Sequence, residues 1–173
     1  MNDAIQNMLN RRSCRAFQKK QIEEAELEQI LQAGLCAPSG MGKQSPILVV
    51  LQDPEEIATV SRMNAAVMGT DSDPFYGAPT VVVVLADSSV RTYVEDGSLT
   101  MGNLMLAASS LGVGSCWIHR AKEVFASEEG KALLKKWGVP DGYVGVGNCI
   151  LGYRKGEKQA AAPRRKIRIY RPW

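Results

Sequence analysis

One domain that mixes helices with buried strands is what these 173 residues predict. Two continuous apolar runs, PILVVLQ at 46–52 and TVVVVLA at 80–86, read as core strands, the second rich in β-branched residues. Around them lie segments whose apolar residues recur at helical spacing. The composition, 45% hydrophobic and 23% charged, is that of an ordinary globular chain long enough to bury a core of its own.

Taken in order, Asp3 to Leu9 is a short helix with Ile5, Met8 and Leu9 on one face. A second helix covers about Glu23 to Cys36, with Leu27, Ile30, Leu31 and Leu35 on its apolar side and Pro38 as its stop. After the strand at 46–52, DPEE opens a helix: Asp53 caps, Pro54 takes the first helical position and Glu56 is placed to reach back. Residues 64–78, rich in Gly, Asp and Pro, predict a loop or lid before the strand at 80–86. The longest helix follows from about Arg91 to Leu111, ended by Gly112. Leu99, Leu104, Met105, Leu106, Ala107, Ala108 and Leu111 make it apolar on more than one face, so it is buried on both sides or meets a second subunit. VGSCWIH at 113–119 is a strand, 121–137 a helix with Val124, Leu133, Leu134 and Trp137 inward, and YVGVGNCILGY at 143–153 another strand. The alternation of Ile167 and Ile169 predicts a final extended segment. No repeat or linker divides the chain, so a single domain over 1–173 is expected.

A net charge of +3 is too small to argue for nucleic acid, and no aromatic platform is interleaved with the basic clusters. No apolar run is long enough to span a membrane. The first ten residues lack the basic and apolar regions of a secretory leader, so the expected location is the cytoplasm. Cys14, Cys36, Cys116 and Cys149 are scattered, and with one histidine they cannot assemble an ordinary zinc site. Their contexts predict buried free thiols.

Two glycine clusters, GVGSCW at 112–117 and GVGNCI at 145–150, lack the third glycine and the helix start of a dinucleotide fingerprint. They read as strand glycines approached closely by another backbone or a flat ligand. RRSCRAF at 11–17 is more pointed: Arg11, Arg12 and Arg15 with Ser13 supply forked donors and a hydroxyl. The segment is either a phosphate receptor or a solvated basic turn paired with acids. Arg164, Arg165, Lys166 and Arg168 form a surface tail or converge on the same anion. APSGMGKQSP at 37–46 is a helix-stop loop, or one that brings backbone donors against a flat ligand.

Read together, these motifs resemble the FMN-dependent nitroreductase family. The resemblance is carried by R-R-S-x-R-x-F, a helix, A-P-S-G-M-x-x-Q, Y-G-A-P before an apolar strand, and N-L-M-L-A-A-x-x-L-G-V-G-S-C-W-I, in that order from residue 5 to about 169. It implies an α+β three-layer sandwich, with a mixed, mostly antiparallel central sheet flanked by helices, assembled as an intertwined homodimer. The helix at 91–111 would lie in the dimer interface, the C-terminal segment would reach across to the partner, and FMN would sit between the subunits.

Carried over position by position, the resemblance gives Arg11 and Ser13, with Arg12 alongside, to the FMN phosphate and ribityl chain. Arg15 falls near the N1–C2 carbonyl edge of the ring. Pro38, Ser39 and Gly40 belong to a loop contributed by the other subunit. Trp117, Ile118 and His119, with Arg120, face the N5–O4 side, and Arg164 and Lys166 close over the phosphate. The family usually has Asn two residues after Gly40, where this chain has Gly42; the lost hydrogen bond is worth roughly 1 kcal/mol. The expected chemistry takes hydride from NAD(P)H and reduces nitroaromatics, quinones or a related acceptor by alternating half-reactions. A fixed cation at Arg15 would favour the reduced flavin. No side-chain nucleophile and no metal are required, and His119 either donates a proton or simply packs. The alternatives are an FMN carrier with little turnover, or a relative reducing enones, halogenated aromatics or flavins.

Overall fold

The computed structural model describes residues 1–164 and 169–170. Its centre is a sheet of four strands, β1 (Pro46–Leu51), β2 (Thr80–Asp87), β3 (Gly114–Ile118) and β4 (Tyr143–Gly152), in the order β1-β2-β4-β3. All three ladders are antiparallel; the one parallel element among the described residues is an isolated bridge between Ser13 and Ser115. The valine run explains why β2 is central. Val81, Val83 and Leu85 enter one apolar cluster, while Val82, Val84 and Ala86 enter the other, as the two-residue period of a strand covered on both faces demands. On the second face lie α2 (Glu24–Leu35) and α4 (Tyr93–Ser110), which supply Leu27, Ile30, Met101 and Leu104. The first face is covered by α3 (Pro54–Met68), α5 (Ala121–Ala126) and α6 (Glu128–Lys136), with Val60, Val124 and Phe125 inward. The short α1 (Asp3–Asn10) buries no residue and leans on α4, where the Asn7 amide donates to the Leu106 carbonyl at 2.8 Å. The expected α+β three-layer sandwich is therefore present.

Four local expectations change. The helix opened by Asp53 does not stop at residue 63: Ala65, Ala66, Val67 and Met68 are adequate helix formers, and it ends only at Gly69, whose φ of 72° suits a glycine cap. Glu56 does not reach back to its own N-cap; it accepts instead from Lys136 Nζ at 2.7 Å and Trp137 Nε1 at 3.3 Å, tying α3 to α6. The helix expected over 121–137 is broken at Ser127, which is extended (ψ 160°), donates to the Val124 carbonyl at 2.7 Å and caps the Gly130 amide at 3.0 Å. Cys36 is exposed at the end of α2, whereas Cys14, Cys116 and Cys149 are buried thiols as expected. Ile167 of the predicted final segment lies outside the described residues, and Ile169 is exposed.

The strand glycines meet protein. A Cβ on Gly114 would fall 2.8 Å from Cys14 Sγ, so this glycine lets the 11–17 segment lie directly on β3. One polar side chain of the core lacks a partner among the described residues: Asn148, fully buried opposite Val83 and Ile118, engages neither Oδ1 nor Nδ2. Because an unmade buried bond costs free energy and a β-branched residue suits a strand, Asn148→Val should stabilise the protein by about 1 kcal/mol. Urea unfolding checks this; a clear loss of stability would mean that the amide is engaged.

Candidate functional site

The RRSCRAF segment is pinned at both ends. The Cys14 amide donates to the Ser115 carbonyl at 2.8 Å, Phe17 bridges Arg154, and the Gln18 amide donates to the Tyr153 carbonyl at 2.8 Å. Cys14 and Phe17 turn inward as buried anchors. The arginines between and before them are thereby sent to two different cavities.

The first cavity, about 280 Å³, is lined by Arg11, Arg12, Arg154 and Lys158 together with the turn from Ser109 to Ser115. Its lining contains four cations and no acid. Arg12 spends Nη1 on the carbonyls of Leu9 (2.7 Å) and Arg11 (2.6 Å). Arg12 Nε and Arg11 Nη1 are buried with no partner among the described residues. Buried N–H groups of a guanidinium are costly to leave unpaired, and guanidinium groups pair well with the oxygens of an anion. Ser13 sits beside this cavity through its bridge to Ser115. Arg154 and Lys158 were not among the sequence candidates; the only signal for them is their place directly after the strand that ends beside Phe17. Arg164 is exposed and lines none of the three cavities described here, and Lys166 lies outside the described residues.

At the C-terminal end of β3, a second cavity of about 430 Å³ gathers Arg15, Trp117, Ile118, His119 and Arg120 against Ser72, Asp73 and Tyr76 of the 69–79 loop. Asp73 forms no ion pair with these arginines: its carboxylate accepts from Ser61 Oγ (2.5 Å), the Phe75 amide (2.9 Å) and the Gly77 amide (2.7 Å). Ser72 and Asp73 also border a third cavity, about 940 Å³, that runs along α3 between Pro54 and Ala66. Nothing in the sequence pointed to that space, whose lining includes the small side chains of Ala58, Ala65, Ala66 and Ala78.

Pro38, Ser39 and Gly40 line none of these cavities. Their loop is held on α4 by Asp96, a buried carboxylate that accepts from the Gly40 amide (2.9 Å), Ser45 Oγ (2.7 Å) and Thr92 Oγ1 (3.3 Å). Burial is the largest single influence on the Asp96 carboxyl and pushes its pKa up, but the three hydrogen bonds together hold it below the usual aspartate value. The sequence signal was faint: two adjacent acids, Glu95 and Asp96, in the first turn of a mostly apolar helix. Gly42 has φ of 65° and open space where a Cβ would stand, so both backbone and room accept the family's usual Asn there. The four non-glycine residues with left-handed backbones among the described residues, Met41, Gln44, Tyr76 and Arg120, all belong to this loop or to the strand-end cavity. Clustering of such residues marks segments that are held for a purpose other than stability.

The nitroreductase family model matches residues 8–72 and 68–153 of the chain. A protein of Archaeoglobus fulgidus named "Putative NADH dehydrogenase/NAD(P)H nitroreductase" is 33% identical over 91% of this chain and 89% of its own length. Among solved structures, an FMN-bound nitroreductase from Bacteroides fragilis superposes with a TM-score of 0.88 at 28% identity, covering 99% of this chain and 100% of that one. An FMN-bound nitroreductase from Desulfitobacterium hafniense gives 0.87 at 26% identity, covering 99% and 100%. The chain belongs to the nitroreductase family.

Proposed function

We propose that this protein is an FMN-dependent oxidoreductase that takes hydride from NAD(P)H and passes it to a nitroaromatic, a quinone or a related acceptor. The observation that carries the reading is the acid-free cavity with unpaired buried nitrogens of Arg11 and Arg12, in a chain whose close structural relatives were solved with FMN. Arg11, Arg12, Arg154 and Lys158 would hold the phosphate, with Ser13 beside the ribityl chain and Arg164 and Lys166 as further cations from the tail. Arg15 and the Trp117–Arg120 stretch would meet the ring. When bound, FMN supplies the hydride chemistry. The chain itself supplies cations, shape and an open approach. Arg15 lines the strand-end cavity, where its charge would favour a ligand that gains electron density on reduction. No cysteine among the buried three is a candidate nucleophile; burial pushes the Cys149 thiol far up.

The reading includes a homodimer built from the whole chain as one domain, in the cytoplasm. Ile5, Met8 and Leu9 of α1, Leu35 of α2, Met41, and Val94 and Leu99 of α4 are all exposed on the same helical layer, an extent of apolar surface that a monomer rarely leaves open. A second copy placed there would bring its own Pro38, Ser39 and Gly40 to a cofactor site that the first copy's loop does not reach. Steady-state oxidation of NADH or NADPH with a nitroaromatic or a quinone tests the activity. Acceptor-dependent turnover is expected; a yellow protein whose colour bleaches too slowly for turnover would instead favour a flavin carrier.

A further inference from the structure

Arg120 is, with Tyr76, one of two residues lining the strand-end cavity whose backbone is left-handed. Its φ of 74° and ψ of 9° are left-handed for a residue with a side chain, a conformation that costs about 1–2 kcal/mol. Three hydrogen bonds hold it there. Its carbonyl accepts from the Val124 amide at 3.0 Å in the first turn of α5. Asn64, fully buried on α3, donates from Nδ2 to the His119 carbonyl at 2.8 Å and accepts at Oδ1 from Arg120 Nε at 3.0 Å. One amide side chain thus fixes both the peptide before Arg120 and the near end of its guanidinium.

What this leaves over is informative. The terminal nitrogens of Arg120 have no acceptor among the described residues, and Asp73, the acid lining the same cavity, is committed to Ser61, Phe75 and Gly77. The cavity therefore presents two guanidinium groups, Arg15 and Arg120, that form no ion pair with a carboxylate among the described residues. Arg15 is exposed, whereas Arg120 is aimed by a buried partner. A cation held in place acts on developing charge without reorganising.

We infer that Asn64 is a positioning residue: by clamping Arg120 it fixes a second cation in the lining of the strand-end cavity, and so favours the ligand there in its reduced, more negative form. The inference rests on the proposed FMN site. Asn64 touches no cavity itself and acts only through Arg120.

The test uses the FMN-loaded protein and reads the midpoint potential of the bound flavin by spectroscopic redox titration. Arg120→Met should weaken binding of reduced relative to oxidised FMN by about tenfold, which lowers the potential by about 30 mV for a two-electron couple. Asn64→Leu should lower it by a similar factor, and the double variant by no more than the larger single effect, because both act through one cation. If Asn64→Leu does not fold, Asn64→Asp replaces it: the carboxylate keeps the acceptor for Arg120 Nε but neutralises the cation, and should lower the potential likewise. An unchanged potential in either Asn64 variant, or effects that add, overturns the positioning role even if stability falls. Failure of the unaltered protein to take up FMN overturns the underlying site instead, and the two failures are thereby told apart.

Discussion

Replacing Arg11 and Arg12 together by alanine is expected to weaken FMN binding by about 100- to 10,000-fold, with only a small loss of fold stability. The estimate follows from two sets of charge-assisted hydrogen bonds at about 1.5–3 kcal/mol each. The small stability cost follows from the structure: neither side chain pairs with an acid, and the buried Arg11 Nη1 and Arg12 Nε have no partner to lose. Only the two carbonyl contacts of Arg12 at the end of α1 are sacrificed. Flavin fluorescence titration of the double variant checks the affinity, and thermal unfolding without FMN checks the fold. Undiminished affinity would mean that the basic cavity holds nothing of the cofactor.

Asp96→Ala is expected to cost about 3 kcal/mol, since it strands the Ser45 hydroxyl and the Gly40 amide inside the protein and removes hydrogen bonds made to a charge. For a chain of this size that corresponds to a fall in Tm of about 6–12 °C. The loop at 37–45 would loosen first, because Asp96 is its tether to α4. The pH dependence has a definite sign. The Asp96 carboxyl titrates lower in the folded protein than when unfolded, so its contribution is complete above the ordinary aspartate value of about 3.9 and is lost as pH falls through the folded-state value. Asp96→Ala should therefore lie well below the unaltered protein in urea stability at neutral pH, with the gap narrowing in acid. A constant gap down to strongly acidic pH would contradict the assignment.

Much of the architecture was legible because it depends on short-range patterns. The unbroken valine run of 80–86 could only be a strand covered on both faces, and β2 takes that position between β1 and β4. Leu27, Ile30 and Leu104 likewise announced the faces that α2 and α4 turn to the sheet. What failed was decided by contacts across the fold. Glu56 looked like a reciprocal cap until Lys136 and Trp137, eighty residues on, offered a better partner. Ser127 looked like an ordinary helical residue until its hydroxyl capped a new helix. In the site, the density of arginines in RRSCRAF was visible, but not that Arg11 and Arg12 part from Arg15 into separate cavities. Arg154, Lys158 and Asn64 were hidden because each acts through a neighbour that only the folded chain supplies.

The central claim is that this chain carries FMN on the cations of its N-terminal segment and of the stretch following β4. Its most direct test is the visible absorbance of the purified protein during titration with FMN, at two salt concentrations. Saturable uptake with a shifted flavin band, weakening as salt screens the guanidinium groups, is the predicted result. A protein that stays colourless with excess FMN, while its fold is intact by circular dichroism, would contradict the account.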